Sequence, residues 1–387
     1  RHSFILSSFQ VFRGVYMKIS INKNELQTAI QKLSKATPNR STLPILSCVL
    51  LQTNDNEIIL RSTDLEITII ISISASVEKE GSSAIPIHTL INITNELPDG
   101  RITIEIDDQH KIKLITELGT YNLMGKPAEE FPAVPEIDKE KPLPIKSDLL
   151  SEIIKSTSFV ISHDELKPAL TGLYLKLEKN RLTTVATDGH QLVRYIVSDY
   201  VTDGFTGEVI IPRKFLSLLG SLLADDDKTQ LWISTNHATA TSEGVKVLTR
   251  IIDERYPDYE SVIPKENKKK LVVNKERFLG AVKRTSIFSN KMTHQISITP
   301  DKGTVLIKTE DPETASRGQE EMKGEFSGEP LTIGYNANYL KDILSHINDE
   351  NVVIKLDTPI SSTLFNGETT EKNRDITMLL MPIRLND

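Results

Sequence analysis

The chain has 387 residues, 38% of them hydrophobic and 26% charged, which suits two or three globular domains and excludes a disordered or fibrous protein. Acidic residues outnumber lysine plus arginine by 53 to 46, giving a formal net charge of −7 and excluding an overall basic footprint for nucleic acid, though not a local one. The single Cys48 can form no internal disulfide and rules out a Cys₄ or Cys₂His₂ zinc site, and no run reaches the roughly 18 apolar residues of a membrane span.

Residues 1–16 carry Phe4-Ile5-Leu6, Phe9, Val11 and Phe12 without a small-residue cleavage site. The strand-like alternation begins at Met17, so residues 1–16 are read as an extension outside the fold. The remaining 371 residues divide into three segments of about 124, and the sequence repeats weakly at that period. Ile21-Asn22-Lys23, Ile145-Lys146-Ser147 and Val273-Asn274-Lys275 each open an amphipathic helix, with Asn22, Ser147 and Asn274 as expected N-caps. In the first, Leu26, Ala29, Ile30 and Leu33 share one helical face.

A second helix follows in each third, after Ile85-Pro86, Ile211-Pro212 and Gly334-Tyr335, with proline expected in the first turn. Thr63-Asp64, Thr187-Asp188 and Glu310-Asp311 keep the same period between the two helices. The intervening text reads as strands, among them Glu66–Ile73, Ile102–Ile106, Lys111–Ile115, Leu182–Ala186, Leu231–Ser234, Val305–Lys308 and Val352–Leu356. Two helices with many short strands per third predict an α+β fold on antiparallel sheets. Expected linkers are Lys139–Pro144 and Pro264–Lys270, giving domains at 17–140, 141–264 and 265–387.

Charge is not evenly spread over these elements. The first-helix segments 22–40, 146–155 and 274–291 carry +3, 0 and +4, and the second-helix segments 86–97, 210–223 and 335–347 carry −1, +2 and 0. The helices thus hold +8 and everything else −15. Lysines on solvated helix faces explain one such helix, but segregation over six suggests a basic helical surface and an acidic sheet surface. With no interleaved aromatics for base stacking and no base-reading helix, the expected contact is with phosphates and blind to sequence.

The sharpest local string is Ala186-Thr187-Asp188-Gly189-His190. One reading makes His190 a general base oriented by Asp188, as in a hydrolase. The other makes it an Asp-Gly turn between strands, with His190 exposed on the next strand. No nucleophile elbow, metal-binding helix or phosphate loop accompanies it, so no catalytic residue, cofactor or metal is expected. The apolar string Met378-Leu379-Leu380-Met381-Pro382-Ile383-Arg384-Leu385 is either a last core strand with a frayed tail or an exposed lip for partner peptides.

Taken in order, Leu43-Pro44-Ile45-Leu46, Thr63-Asp64-Leu65-Glu66, Phe131-Pro132, Ala186–His190, Ile211-Pro212-Arg213-Lys214, Tyr256-Pro257-Asp258-Tyr259 and Met381–Leu385 make residues 17–387 resemble the bacterial DNA polymerase III β subunits, the replicative sliding clamps. The resemblance implies three DNA-clamp domains of one fold, each with two helices packed on antiparallel sheets. Six such domains form a ring in a head-to-tail homodimer that encircles double-stranded DNA in the cytoplasm. It implies a non-catalytic processivity factor that tethers the polymerase III catalytic subunit, and that engages the clamp loader, other polymerases and repair proteins through short peptides.

The family's peptide pocket matches Leu170, Thr187, Gly189, His190, Leu192, Pro257, Val262, Ser362, Leu379, Leu380, Met381, Pro382, Ile383 and Arg384 here. Its frequent arginines are replaced by Gln191 and Ser261. Its DNA contacts match Arg40, Lys167, Arg213 and Lys214, with Pro168 and Ala169 where relatives often carry tyrosines. Its subunit interface matches Tyr121 and Leu123 against Ile287 and Phe288. A repeat-built peptide scaffold that does not bind DNA is the remaining alternative.

Overall fold

A computed structural model of the chain describes residues 15–38, 40–135, 143, 145–202, 205–222, 229–369 and 372–385. The first fourteen residues, and the expected linker at 139–144 apart from Leu143, lie outside them. Six α-helices occur among the described residues: α1 (Lys23–Leu33), α2 (Ile87–Glu96), α3 (Ser147–Thr157), α4 (Arg213–Leu222), α5 (Lys275–Ser286) and α6 (Ala337–Ser345). These are the six helices, two per third, that the period predicts.

The caps follow the repeat more closely than residue type. Asn22 accepts hydrogen bonds from the backbone of Asn24 and Glu25, Asn274 from Arg277, and Asn336 from Asn338, each satisfying an otherwise orphaned N–H. The expected cap Ser147 is instead the first helical residue of α3, and Lys146 holds the cap position without a side-chain bond. Counting 124 from Asn22 lands on Lys146, so the period was the better guide. Pro86 likewise sits at the N-cap of α2 rather than in its first turn, and Pro212 ends a strand just before α4. Both prolines close a ladder, opposite Cys48 and Gly172 respectively.

Every strand pairing among the described residues is antiparallel. The predicted strands appear within a residue or two, except that Val305–Lys308 extends to Thr304–Asp311. The first strand, Val15–Asn22, starts two residues before Met17 and takes in the end of the segment set aside as an extension. Lys269 and Lys270, read as linker, pair with Leu356 and Lys355 and begin the strand Lys269–Asn274. The lysine run masks a strand whose apolar half starts at Leu271.

The chain packs as two compact units, one of Arg1–Glu140 and Ser217–Arg250, the other of Lys141–Leu216 and Ile251–Asp387. Repeats therefore share sheets. In the first unit a seven-stranded sheet joins Ile67–Ser74 of the first repeat to Val245–Arg250 of the second. In the second unit a nine-stranded sheet joins Gln191–Val197 of the second repeat to Arg374–Leu380 of the third. Each junction uses the same two strand positions of the repeat, and Ser316–Lys323 and Thr120–Met124 are the third copies of those positions. Both are edge strands, of a four-stranded and a five-stranded sheet, with no outer neighbour among the described residues.

The core that supports this arrangement is aliphatic. Leu26, Ile30 and Leu33 of α1 and Leu340, Ile343 and Leu344 of α6 are fully buried, at 1% exposure or less. In the first unit α1 and α2 are tied by Gln27, whose amide donates to Asn95 Oδ1 at 2.7 Å.

Candidate functional site: an apolar cavity beside a repeated turn

Thr187-Asp188-Gly189-His190 forms a turn between the strands Arg181–Thr187 and Gln191–Val197. Asp188 Oδ1 accepts the backbone N–H groups of His190 and Gln191, both at 2.8 Å, and Thr187 Oγ1 donates to the Gln191 carbonyl at 2.6 Å. The first repeat builds the same device without a histidine. Asp64 Oδ1 accepts from Glu66 and Ile67, and Thr63 Oγ1 donates to the Ile67 carbonyl. The Asp carboxylate is thus a turn former in both copies. His190 lies in the turn itself, not on the following strand, and its ring stacks on Tyr339 with centroids 5.4 Å apart. The acid/base reading loses its motive, since the same turn recurs where no histidine stands.

Gly189 has φ +93° and Leu65, its counterpart, φ +80°. A Cβ at Gly189 would meet nothing within 4 Å. Gly189→Ala is therefore expected to cost only about 1–2 kcal/mol, from backbone strain rather than collision. Urea unfolding checks this, and a loss well above that range would mean that a side chain at Gly189 collides with its surroundings.

Behind the turn lies an open cavity of about 220 Å³ lined by Leu170, Thr187, Gly189, His190, Gln191, Leu192, Pro257, Asp258, Tyr259, Val262, Leu379 and Met381. Its floor is a cluster of buried side chains including Tyr174, Val185, Leu192, Tyr256 and Leu379. Tyr174 stacks on Tyr256 with centroids 4.8 Å apart, and Tyr256 donates its hydroxyl to the Val185 carbonyl. Burial pushes the Tyr256 and Tyr174 phenols well up, so both stay neutral and apolar in character. Among the lining residues Asp258 is the one aspartate, glutamate, lysine or arginine.

The apolar C-terminal string contributes to this cavity in alternation. It is a core strand as far as Leu380, in register with Gln191–Val197 on one side and Thr363–Phe365 on the other. Leu379 reaches the cavity, whereas Leu380 has no exposed surface and lies outside the lining. Strand alternation sends the two leucines to opposite faces. The tail beyond is held rather than frayed: the Met381 N–H donates to the His190 carbonyl and the Ile383 N–H to the Gly334 carbonyl, both at 2.8 Å. Pro382, Ile383 and Arg384 continue along that tail without lining the cavity, and Ser362 touches it indirectly through a hydrogen bond to the Val262 carbonyl. Gln191, Asp258 and Tyr259 line it as well, Gln191 at a pocket position the resemblance marks as often arginine and the other two within the matching string Tyr256–Tyr259, although none of them is among the residues matched to the pocket. Their adjacency to His190 and Pro257 was the available signal.

The expected DNA-contacting residues divide between the units. Arg40 is exposed in the first. In the second, Arg213 lies 2.6 Å from the His163 ring nitrogen, which brings α4's start to the loop carrying exposed Lys167, and Lys214 is exposed beside it. One helical cation is engaged elsewhere, because Arg284 makes a two-point contact with Glu320 at 2.8 and 2.7 Å. At the expected subunit interface, Tyr121 and Leu123 share one face of the edge strand Thr120–Met124, both half-buried. Ile287 and Phe288 protrude at the end of α5, 76% and 45% exposed, with Phe288 against Gly318 of the other edge strand.

Three family descriptions cover the chain consecutively: DNA polymerase III beta subunit N-terminal domain over residues 17–135, central domain over 144–258 and C-terminal domain over 260–384. The chain belongs to the bacterial DNA polymerase III beta subunit family. The beta sliding clamp of Pseudomonas putida is 30% identical over 374 residues, covering 95% of this chain and all of that protein, and the beta sliding clamp of Synechococcus elongatus is 31% identical over 379 residues with the same coverage. Among solved structures, the beta subunit of Pseudomonas aeruginosa superposes with a TM-score of 0.89 at 29% identity, over 95% of this chain and all of that one. The Bacillus subtilis clamp gives 0.90 at 26% identity, over 96% and all. A Pseudomonas aeruginosa clamp bound to griselimycin gives 0.87 at 29% identity, over 96% and all. Membership gives the chain the function of a beta subunit, a sliding clamp in DNA replication that works with DNA and a polymerase. The fold is three repeated clamp domains of mixed helix and antiparallel sheet. No helix among the described residues is long and apolar enough to cross a membrane.

Proposed function

We propose that two copies of the chain close head to tail into a ring around duplex DNA, with clamp domains at 17–140, 141–264 and 265–387. The observation that carries this reading is the strand left over at each end of the repeat series. Two junctions within the chain pair one repeat position with the other, and a third pairing of Ser316–Lys323 with Thr120–Met124 of a second copy would complete the pattern. Such a contact is heterologous, and it closes because two copies complete the rotation. Tyr121 and Leu123 of one copy would then meet Ile287 and Phe288 of the next.

The ring performs no chemistry. It holds DNA by topology, with Arg40, Lys167, Arg213 and Lys214 making loose, sequence-independent phosphate contacts. The cavity between Leu170 and Met381 receives short apolar peptides of the polymerase III catalytic subunit, the clamp loader, other polymerases and repair proteins. Binding of griselimycin by a Pseudomonas aeruginosa relative supports a ligand-receiving clamp surface. This work takes place in the cytoplasm, where the replicating DNA lies.

The test is topological. Loaded onto a nicked circular plasmid, the protein stays bound through gel filtration and is lost once the plasmid is cut open. Equal retention on both forms would overturn the ring. Changing Arg40, Arg213 and Lys214 together to glutamate is expected to shorten retention on the circle and to flatten its salt dependence by about three phosphate contacts. If retention and its salt slope are unchanged, those residues do not face DNA.

A further inference from the structure

The polar chemistry presented at the cavity is one-sided. Gln191 lines it and is 98% buried, being only 2% exposed. Its Nε2 leans on Asp188 Oδ2 at 3.4 Å, which sets the orientation of the amide: turned over, its carbonyl oxygen would face a carboxylate. Oε1 is consequently left buried with no hydrogen-bond partner among the described residues. A buried acceptor without a donor is a polar cost carried by the wall, and it brings no cation to the opening.

The charge on the cavity lining and at its His190 wall is acidic. Asp258 is the one aspartate, glutamate, lysine or arginine of the lining, and it is exposed. At the His190 wall the neighbouring carboxylates are Asp188, in the turn, and Asp342, exposed on α6 one helical turn beyond Tyr339. Both act on the Tyr339 phenol, which burial first and then these two charges push up. Lys341 and His346 act on Asp342 from α6 itself. On the Tyr259 side the charges offset one another: Arg194 lies 3.6 Å from Glu260 and 3.5 Å from Asp375, and Arg181 and Glu208 act oppositely on the Tyr259 phenol. Gln191 and Ser261 supply no cation. Arg384 is exposed on the tail outside the lining.

We propose that the cavity selects its peptides by charge, favouring segments in which lysine or arginine flanks the apolar anchors and disfavouring acidic ones. This rests on the peptide-pocket reading above. An apolar floor takes the anchors, while the carboxylates of Asp258, Asp188 and Asp342 favour cations over anions beside them.

The experiment uses the full chain and three fluorescein-labelled peptides with the same leucine and phenylalanine anchors and lysine, serine or glutamate in the flanking positions. Fluorescence anisotropy in 50 mM salt is expected to rank lysine above serine above glutamate, with the extremes about 5-fold apart, as befits exposed charge pairs. In 0.5 M salt the gap should close to less than about 2-fold, because screening then acts within a few ångströms. The double variant Asp258→Asn/Asp342→Asn should close it to less than about 2-fold at low salt as well. Equal binding of all three peptides, or preference for glutamate, overturns the charge selection while leaving the pocket intact. Binding of none of them overturns the pocket and the selection together. A gap that survives in the double variant assigns the selectivity to other groups and overturns the role given to these carboxylates.

Discussion

Leu123→Glu combined with Ile287→Glu is expected to convert a species of roughly twice the 43.4 kDa chain mass into a monomer, and to abolish retention on circular DNA. Ile287 is 76% exposed within one chain and Leu123 is half-buried on an edge strand, so the chain itself should keep its fold. In a closed ring both positions lie in the contact between copies, where an unpaired carboxylate costs several kcal/mol and weakens association by about 100-fold or more. Every ring contains two such contacts, so the effect is felt twice. Light scattering after size exclusion reads the mass directly, and far-ultraviolet circular dichroism checks that the strands remain. A wild-type chain that is monomeric at micromolar concentration would remove the ring from consideration, and a variant that stays dimeric would move the interface elsewhere.

The second large effect concerns Leu379. It is 1% exposed, stands opposite Leu192 on one neighbouring strand and Leu364 on the other, and forms part of the cavity floor. Leu379→Ala is expected to destabilise the second unit by about 2–5 kcal/mol, the range for deleting a buried leucine side chain. Peptide binding should fall with it. Met381→Ala separates the two consequences, because Met381 is only half-buried and its one backbone hydrogen bond, to the His190 carbonyl, does not involve the side chain. That variant is expected to lose under about 1 kcal/mol of stability while binding an apolar peptide about 5- to 30-fold more weakly, as for an interface anchor. Denaturant unfolding and peptide titration on the two variants check both numbers. A Met381→Ala protein with unaltered peptide affinity would show that the cavity is not where peptides bind.

The helices and strands were legible because each has a local signature. Leu26, Ala29, Ile30 and Leu33 recur at helical spacing, and Lys111–Ile115 alternates so cleanly that its bounds match the strand observed. What could not be read is non-local. Nothing in Val245–Arg250 says that its partner is Ile67–Ser74 of the preceding repeat, since both have the same β-branched, half-buried character. The cavity shows the same division. Thr187, Gly189, His190, Asp258 and Tyr259 all sit in strings recognisable by resemblance, but which of them line the opening is decided by the side of the strand or turn that faces it. The misplacement of Ser147 and the inclusion of Leu380 have a common cause. Residue type was weighed above position, in the repeat for one and in the strand alternation for the other.

The strand Arg374–Leu380 lies between Gln191–Val197 and Thr363–Gly367, and its contact with the former joins residues as much as 189 positions apart in sequence, Gln191 and Leu380. During synthesis the second repeat therefore leaves the ribosome with a hydrophobic sheet edge open, and that edge waits for nearly all of the third repeat to be made before it is covered. Completion of the nine-stranded sheet is a late event, and the nascent chain depends meanwhile on staying unpaired with its neighbours on the same message.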